Sequence, residues 1–276
     1  MRDLFRAFFY KIRKDLTFRI TLIVGAGLAI LMTLLYLLID SGLGIGGHLL
    51  CTGNNLFLVS FNPAQNFGIA IPINLITFTV LEFTHGIIRN KIVAGNSKVK
   101  IYISLFLTGL VYTLSLLFTY VGLCTLLGTI IGKFDPNGFA MVGMSGYGII
   151  TPDFIWRFFV SAILVYITIT AATIFISTLL RNIGPSIPIA IVVPILLCTI
   201  VPVIYQIPEV AEALGDLPYF LNPFQNLSAS EAFHSSAGYN LYISDKAMWG
   251  ALVSNLLWSA IFVGFGTLIF VKRDVK

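Results

Sequence analysis

Long apolar runs separated by short polar segments dominate this sequence. Six runs, at about residues 18–39, 66–84, 101–132, 154–180, 184–207 and 248–271, each hold roughly the 20 residues that a helix needs to cross the hydrocarbon of a bilayer. We interpret all six as helices, because open strands would leave backbone groups unpaired in lipid. The pattern predicts an all-α polytopic membrane protein that forms one transmembrane domain over residues 1–276.

Residues 1–17, which precede the first run, show a different pattern. Large apolar side chains recur there at helical spacing, with bases mostly on the opposite face; the apolar set includes Phe5, Phe8, Phe9 and Ile12. Such a pattern is typical of a helix that lies in the plane of the membrane surface. The alternative is a basic flank that only fixes topology. We predict the amphipathic helix, because the aromatic stripe exceeds what topology requires.

The bases are distributed unevenly between the two sides that six spans would create. With the N-terminus inside, fourteen of the 17 bases are cytosolic: Arg2, Arg6, Lys11, Arg13, Lys14, Arg19, Arg89, Lys91, Lys98, Lys100, Arg181, Lys272, Arg273 and Lys276. Short loops rich in Lys and Arg stay in the cytosol. The sequence therefore predicts a multi-pass protein of a cell membrane with both termini cytosolic.

Composition narrows the class of function. Only 11% of the residues are charged and the mean hydropathy is +0.93, whereas about a quarter are charged in a soluble domain. The net charge of +5 is spread over several loops, so we expect no nucleic-acid partner. The three cysteines and three histidines are scattered, which predicts no metal site. The sequence has no P-loop, no paired catalytic carboxylates and no Ser-His-Asp order, so we expect no ATP binding or catalysis by this chain.

A short polar segment, EFTHGIIRNKIVAGNSK, interrupts the apolar pattern between the second and third runs. Apolar residues recur at helical spacing within it, which predicts a short helix over residues 83–96. Gly95 and Asn96 tolerate the positive φ that ends a helix, and Ser97 can cap the next one. We expect Glu82 to pair with a nearby base. The alternative is a charged hairpin that only joins two spans.

The order of residues in this segment resembles the permease subunits of type-2 ABC exporters. The resemblance rests on an acid that ends a span, a short helix with Gly and Arg, and Gly-x-Ser-Lys leading into the next span. It is greatest for the branch that includes lantibiotic and bacteriocin self-protection permeases and related peptide or drug exporters. In that family the short helix is a coupling helix that docks on a separate ATPase subunit. The resemblance implies that six positions make this contact: Glu82, Gly86, Arg89, Asn90, Lys91 and Gly95.

The resemblance also implies an assembly. Two permease subunits, either two copies or two related chains, would work with two ATPase subunits that bind ATP and Mg²⁺. The cargo would be hydrophobic or amphipathic, for example an antimicrobial peptide, a drug or a lipid-like compound, and it would be exported across a bacterial plasma membrane. Two alternatives stay open: an ATPase-coupled resistance or sensing component that removes a peptide from the membrane without true export, and an unrelated six-span channel.

Two further features concern the pathway itself. The fifth run is rich in proline, and Pro188, Pro194 and Pro202 are candidates for a gate or a kink because proline removes a helical hydrogen bond. A static kink that aids packing is the alternative. After this run, residues 208–247 form a predicted external segment. By the resemblance, its short apolar pieces dip into the outer leaflet; a surface loop is the alternative.

Overall fold

The computed structural model describes residues 2–42, 50–61, 67–135, 139–142, 146–205, 207, 212, 243 and 245–273. Its elements, in chain order, are α1 (Arg2–Lys14), α2 (Leu16–Gly42), α3 (Gly53–Phe61), α4 (Phe67–Thr84), α5 (Ile87–Val93), α6 (Lys98–Gly132), β1 (Phe139–Val142), β2 (Gly146–Ile149), α7 (Pro152–Leu180), α8 (Ile183–Tyr205) and α9 (Asp245–Lys272). The described part of each of the six predicted apolar runs is helical, except for Ile207 after the end of α8.

Several of these helices are suited to a membrane. Four stretches of the described residues are long and apolar enough to cross one: Leu16–Gly42, Lys98–Gly132, Pro152–Leu180 and Met248–Lys272. A fifth is added if Ala70–Thr84 and Ile87–Val93, bent by 54°, are counted together. The chain is therefore a helical protein with the character of a membrane-embedded one.

The described residues are mostly helical, as predicted, and a short hairpin is added to the helices. Strands β1 and β2 pair antiparallel in the register Phe139↔Ile149 to Val142↔Gly146. They lie in the connection between the third and fourth apolar runs, where no periodic pattern predicted structure. The glycines at positions 143, 146 and 148 interrupt any alternation of apolar and polar residues, which explains why the pattern gave no strand signal.

Side-chain caps set the boundaries of three helices. The Asp15 carboxylate accepts a hydrogen bond from Thr17 N–H (2.9 Å), which begins α2 directly after α1. Ser97 accepts from Lys100 N–H (3.4 Å) at the start of α6, as predicted. Thr151 accepts from Phe154 N–H (3.2 Å) at the start of α7, and Pro152 occupies the first turn, where its missing N–H costs nothing.

The core of the protein is built around α6 and α7. Helix α6 packs against α1, α2, α3, α4, α7 and α9, and α7 also packs against α4, α8 and α9. The largest fully buried side chains include Tyr102, Tyr112, Tyr120 and Tyr166, which project from these two helices. We call the end of the molecule where α6 ends and α7 begins the hairpin end, and the opposite end the α5 end.

Helix α3 is an element that the sequence pattern did not predict. It lies so close to the last turns of α6 that a Cβ at Gly128 would stand 2.9 Å from Thr52 O, and one at Gly132 would stand 2.6 Å from Cys51 O. The Gly53 N–H donates to Lys133 O (3.0 Å), which fixes the start of α3 at the end of α6. Small residues on α6 thus allow two backbones to meet.

Buried polar groups complete the contact at the hairpin end. The Asp40 carboxylate is buried and accepts hydrogen bonds from Leu50 N–H (2.9 Å) and Cys51 N–H (2.7 Å). The Asn54 side chain donates to Asp135 O (2.8 Å) and accepts from Asp135 N–H (3.1 Å). These groups pair backbone atoms that would otherwise be buried without partners.

Helices α3 and α4 follow one another along the length of α6. The last carbonyl of α3, Phe61 O, accepts from the hydroxyl of Tyr166 (3.2 Å), at the middle of α7. Helix α4 then packs on the first half of α6, where Phe78 stacks on Tyr112 with ring centroids 5.9 Å apart. Because α4 has 18 residues and is about 27 Å long, it falls just short of a hydrocarbon core of about 30 Å. The predicted second run, 66–84, thus corresponds to α4, and α3 lies outside it.

Candidate functional site

The turn between α4 and α5 is formed by a glycine in the left-handed region. Gly86 has φ 66°, and its N–H donates to Phe83 O (3.1 Å), which ends α4. A side chain at this φ would be strained, because Cβ approaches the following carbonyl. The glycine thus allows the chain to bend by 54° and to begin α5 immediately.

A second glycine ends α5. Gly95 has φ 86°, its N–H donates to Ile92 O (2.9 Å), and Asn96 N–H donates to Lys91 O (3.3 Å). This pair of bonds is a Schellman motif, so the predicted stop at Gly95 is confirmed. The predicted helix over 83–96 is too long, however. Residues up to Thr84 belong to α4, and α5 covers only Ile87–Val93, because Gly86 breaks the helical dihedrals between them.

A buried ion pair ties α5 to the end of α4. The Lys91 ammonium lies 2.8 Å from the Glu82 carboxylate, whose side chain is fully buried, and Lys91 is only 17% exposed. The predicted pairing of Glu82 with a nearby base is confirmed. A buried pair of this kind stabilises little by itself, but removal of one partner leaves an uncompensated charge and costs about 3–5 kcal/mol. The pair therefore holds α5 in one orientation.

The two faces of α5 differ in exposure. Ile88 is fully buried and Ile92 is half-buried against the core, whereas Arg89 and Asn90 are exposed. Val93 is 80% exposed. The free face of α5 thus presents a base, an amide and an apolar side chain next to one another.

Aromatic and basic side chains connect this turn to α7 and α9. The Arg181 guanidinium, just after α7, lies over the Phe83 ring at 5.1 Å, and Phe83 meets Phe270 of α9 edge-on at 6.0 Å. Burial, and then the nearby Arg273, lower the pKa of Arg181. The ordinary pKa of an arginine lies so far above neutral pH that Arg181 stays positively charged. The face of an aromatic ring attracts such a cation.

The ends of three helices are joined at the same place. Lys98, in the first turn of α6, donates from Nζ to Val271 O (2.9 Å) and Arg273 O (3.1 Å). The Arg273 guanidinium in turn donates to Leu179 O at the end of α7. Cations thus satisfy the last carbonyls of α9 and α7, which carry the negative end of each helix dipole. Helix α5 itself packs against α4 and α6.

No protein-family model matches this chain, and no curated protein or solved structure matches it significantly.

The six predicted contact positions fall into three groups. Arg89 and Asn90 are exposed on α5 and available to another protein. Glu82 and Lys91 face one another beneath the turn, so they can act only by holding α5 in place. Gly86 and Gly95 supply the two positive-φ positions at its ends.

The other predicted functional positions lie elsewhere. In α1, Ile12 is buried in the core, packed beside α6, while Phe9 is half exposed; the side chains of Phe5 and Phe8 lie outside the described part. Helix α8 runs through Pro188, Pro194 and Pro202, with Pro188 exposed. Most of the external segment, 208–247, also lies outside the described residues.

Three residues that support the turn were not predicted from the sequence. Phe83, Arg181 and Phe270 lie far apart in the chain and meet only in the fold. Arg181 carried a weak signal, because it is the one base between the fourth and fifth apolar runs. The two phenylalanines carried none, since each is one of 23 in the chain.

Proposed function

We propose that this chain is the membrane-spanning permease subunit of an ATP-binding cassette transporter, and that α5 is the helix on which a separate ATPase subunit docks. The observation that supports the proposal is the α4–α5 turn. It is a short helix bounded by two glycines, fixed from beneath by the Glu82–Lys91 pair and exposed on its other face. An element that transmits a movement of one protein to the helices of another requires these features.

The proposed mechanism follows from the contacts of the turn. Arg89, Asn90 and Val93 contact the ATPase, while Glu82 and Lys91 keep α5 rigid against α4. Movement of α5 passes to α7 through Phe83 and Arg181, and to α9 through Phe270. Such a unit can change the tilt of several helices together, because packed interfaces move between discrete arrangements rather than deforming smoothly.

The proposal includes an assembly and an orientation. Six helices, α2, α4 (continued from α3), α6, α7, α8 and α9, cross a bacterial plasma membrane with both termini in the cytosol, and α1 lies along the inner surface. Two permease subunits form the pathway, and two ATPase subunits bind ATP and Mg²⁺. The cargo is a hydrophobic or amphipathic compound such as an antimicrobial peptide, and it is exported.

The first test is copurification with an ATPase. The tagged chain is isolated from its own membranes in mild detergent and the associated proteins are identified by mass spectrometry. We expect an ATPase with the parent protein and its loss in the variant Arg89→Glu, because reversal of an exposed interface charge costs several kcal/mol when like charges face one another. Val93→Asp should act in the same way.

Lys100→Glu is the matched control, since Lys100 is also an exposed base at the α5 end but lies beyond the turn. This variant should keep the ATPase. If no ATPase accompanies the folded parent protein, the proposal fails and the six-span channel becomes the better hypothesis. Equal loss in Arg89→Glu and Lys100→Glu would indicate a general charge effect rather than docking on α5.

A further inference from the structure

An open apolar groove runs along the molecule between α3, α6 and α7. Its volume is about 490 Å³, and its lining includes Phe57, Phe61, Phe118, Leu126, Ile130 and Phe159. Phe57 and Phe159 also line a second hollow of about 390 Å³ toward the hairpin end, beside Trp156. The two hollows therefore share a wall and follow one another along the surface.

The groove has the length of one membrane leaflet. From Phe118 to Ile130 it follows α6 for about 18 Å at 1.5 Å per residue, and one leaflet of hydrocarbon is about 15 Å deep. At its inner end lies Phe61, the last residue of α3, beside the middle of α7. The groove thus begins near mid-membrane and ends where α6 ends.

A cation lies at the outer end of this groove. Lys133 follows Ile130 of the groove by about one turn, and its carbonyl accepts from Gly53 N–H, so it lies where the end of α6 meets the start of α3. Its side chain is exposed, and among the described residues it has no ion-pair or side-chain hydrogen-bond partner. Trp156, which is 60% exposed, lies at the same end. Tryptophan and lysine are typical of the level of lipid headgroups.

We propose that the groove binds a phospholipid of the leaflet at the hairpin end, with an acyl chain along the aromatic lining and the phosphate at Lys133. A hydrocarbon chain fits better than a peptide, because the described lining offers only the hydroxyls of Thr125 and Thr129 as side-chain polar groups, and Thr129 already donates to Thr125 O (2.6 Å). A peptide backbone would be left without hydrogen bonds there. The site requires a membrane but not an ATPase, so it is independent of the proposed function.

Photocrosslinking tests the site in the full chain. The protein is reconstituted in vesicles of phosphatidylcholine and phosphatidylglycerol that contain phosphatidylcholine with a diazirine near the end of one acyl chain. Mapped by mass spectrometry, the label should be enriched on α3 and on residues 118–130 of α6, relative to the exposed apolar surface of α2, which reports ordinary boundary lipid. Equal labelling of α2 and the groove would overturn the proposal.

Gly122 offers a variant that fills the groove without disturbing the core. It lines the groove, and a Cβ there meets nothing within 4 Å, as is also true of Gly264 on α9. Gly122→Leu should abolish the enrichment, whereas Gly264→Leu should leave it unchanged. Unchanged enrichment in Gly122→Leu overturns the proposal. A second outcome would also overturn the proposal: the groove of the parent protein takes up no label, and Gly122→Leu forms a smaller oligomer than the parent protein. A second copy of the chain would then cover the groove.

The headgroup assignment has its own test. Lys133→Gln should reduce the enrichment by up to about fivefold, because that is the effect of one basic residue on binding near a membrane surface. Lys100→Gln, at the opposite end, should leave the enrichment unchanged. A diazirine-labelled diacylglycerol, which has no phosphate, should show the same reduced enrichment in the parent protein. If diacylglycerol labels the groove as strongly as phosphatidylcholine does, Lys133 does not bind a phosphate.

Discussion

Two buried residues at the hairpin end, Asp40 and Cys51, show how the surroundings of a side chain set its role. Asp40 is a buried acid whose carboxylate accepts hydrogen bonds from two backbone N–H groups, and it fixes residues 50 and 51, which lead into α3. Cys51, one of those two residues, is fully buried beside it. Burial, and then the Asp40 charge, raise the pKa of the Cys51 thiol. A thiol in such a place is inert, because the thiolate is the nucleophile.

Thiol labelling checks this position. In a variant with Cys124→Ser and Cys198→Ser, we expect Cys51 to react with N-ethylmaleimide at least about tenfold more slowly than a free thiol at the same pH, because its raised pKa keeps the thiolate population low. The rate should rise with pH only above the range in which a free thiol already reacts. Addition of Asp40→Ala should speed the reaction, since the loop loses its anchor. Rapid labelling of the folded protein at neutral pH would contradict the buried position.

At the scale of elements, the contact between α3 and α6 depends on glycine. Gly128 lies where a Cβ would come within 2.9 Å of Thr52 O and 2.7 Å of Leu56 Cδ1, whereas Gly122, on the same helix, faces open space. Alanine is favoured over glycine in a helix by up to about 1 kcal/mol. Substitution by alanine should therefore lower the stability of the protein at Gly128 but not at Gly122.

We predict that Gly128→Ala destabilises the protein by about 1–3 kcal/mol, the usual cost of overpacking, while Gly122→Ala leaves its stability unchanged or slightly raised. The measurement is thermal unfolding of both variants in the same detergent. A lower midpoint for Gly122→Ala than for Gly128→Ala would mean that α3 does not lie against this part of α6.

At the scale of the molecule, the helices are joined by polar contacts at three levels. An ion pair of Arg157 with Asp245 holds α7 to α9 at the hairpin end, and Asp153, one turn earlier on α7, also pairs with Arg157 (2.7 Å). Cations join the helix ends at the α5 end. Between them, Thr168 of α7 donates to the Asn255 side chain of α9 (2.8 Å). Interhelical hydrogen bonds of this kind specify how apolar helices align, because lipid and leucine are equally apolar.

Replacement of the central contact should loosen the whole bundle. We expect Thr168→Val to lower the free energy of unfolding by about 1 kcal/mol, because the Asn255 side chain loses a partner from another helix. Thr119→Val is the control: the Thr119 hydroxyl donates to Ser115 O (2.8 Å) on its own helix, so its loss should change less. Equal effects of the two substitutions in thermal unfolding would show that the contact between α7 and α9 adds no stability.

The sequence by itself determined the features that are formed by residues close together in the chain. The apolar runs predicted helices because a span needs a minimum length of apolar residues, and a helix forms over the described part of each run. Ser97 and Gly95 predicted the start of α6 and the end of α5, because caps are formed by residues three to five positions apart. Glu82 and the base it pairs with, Lys91, are nine positions apart, on either side of one turn.

What only the tertiary structure decided involves residues distant in the chain. Helix α3 has nine residues, too few to be predicted as a span, so only its fit against the glycines of α6 places it at the hairpin end. The burial of Asp40 and Asn54, the stacking of Arg181 on Phe83 and the groove beside Lys133 likewise depend on partners some ten to 100 residues away. Periodicity reports which face of a helix is apolar, but the choice of partner is set by shape and by the pairing of buried polar groups.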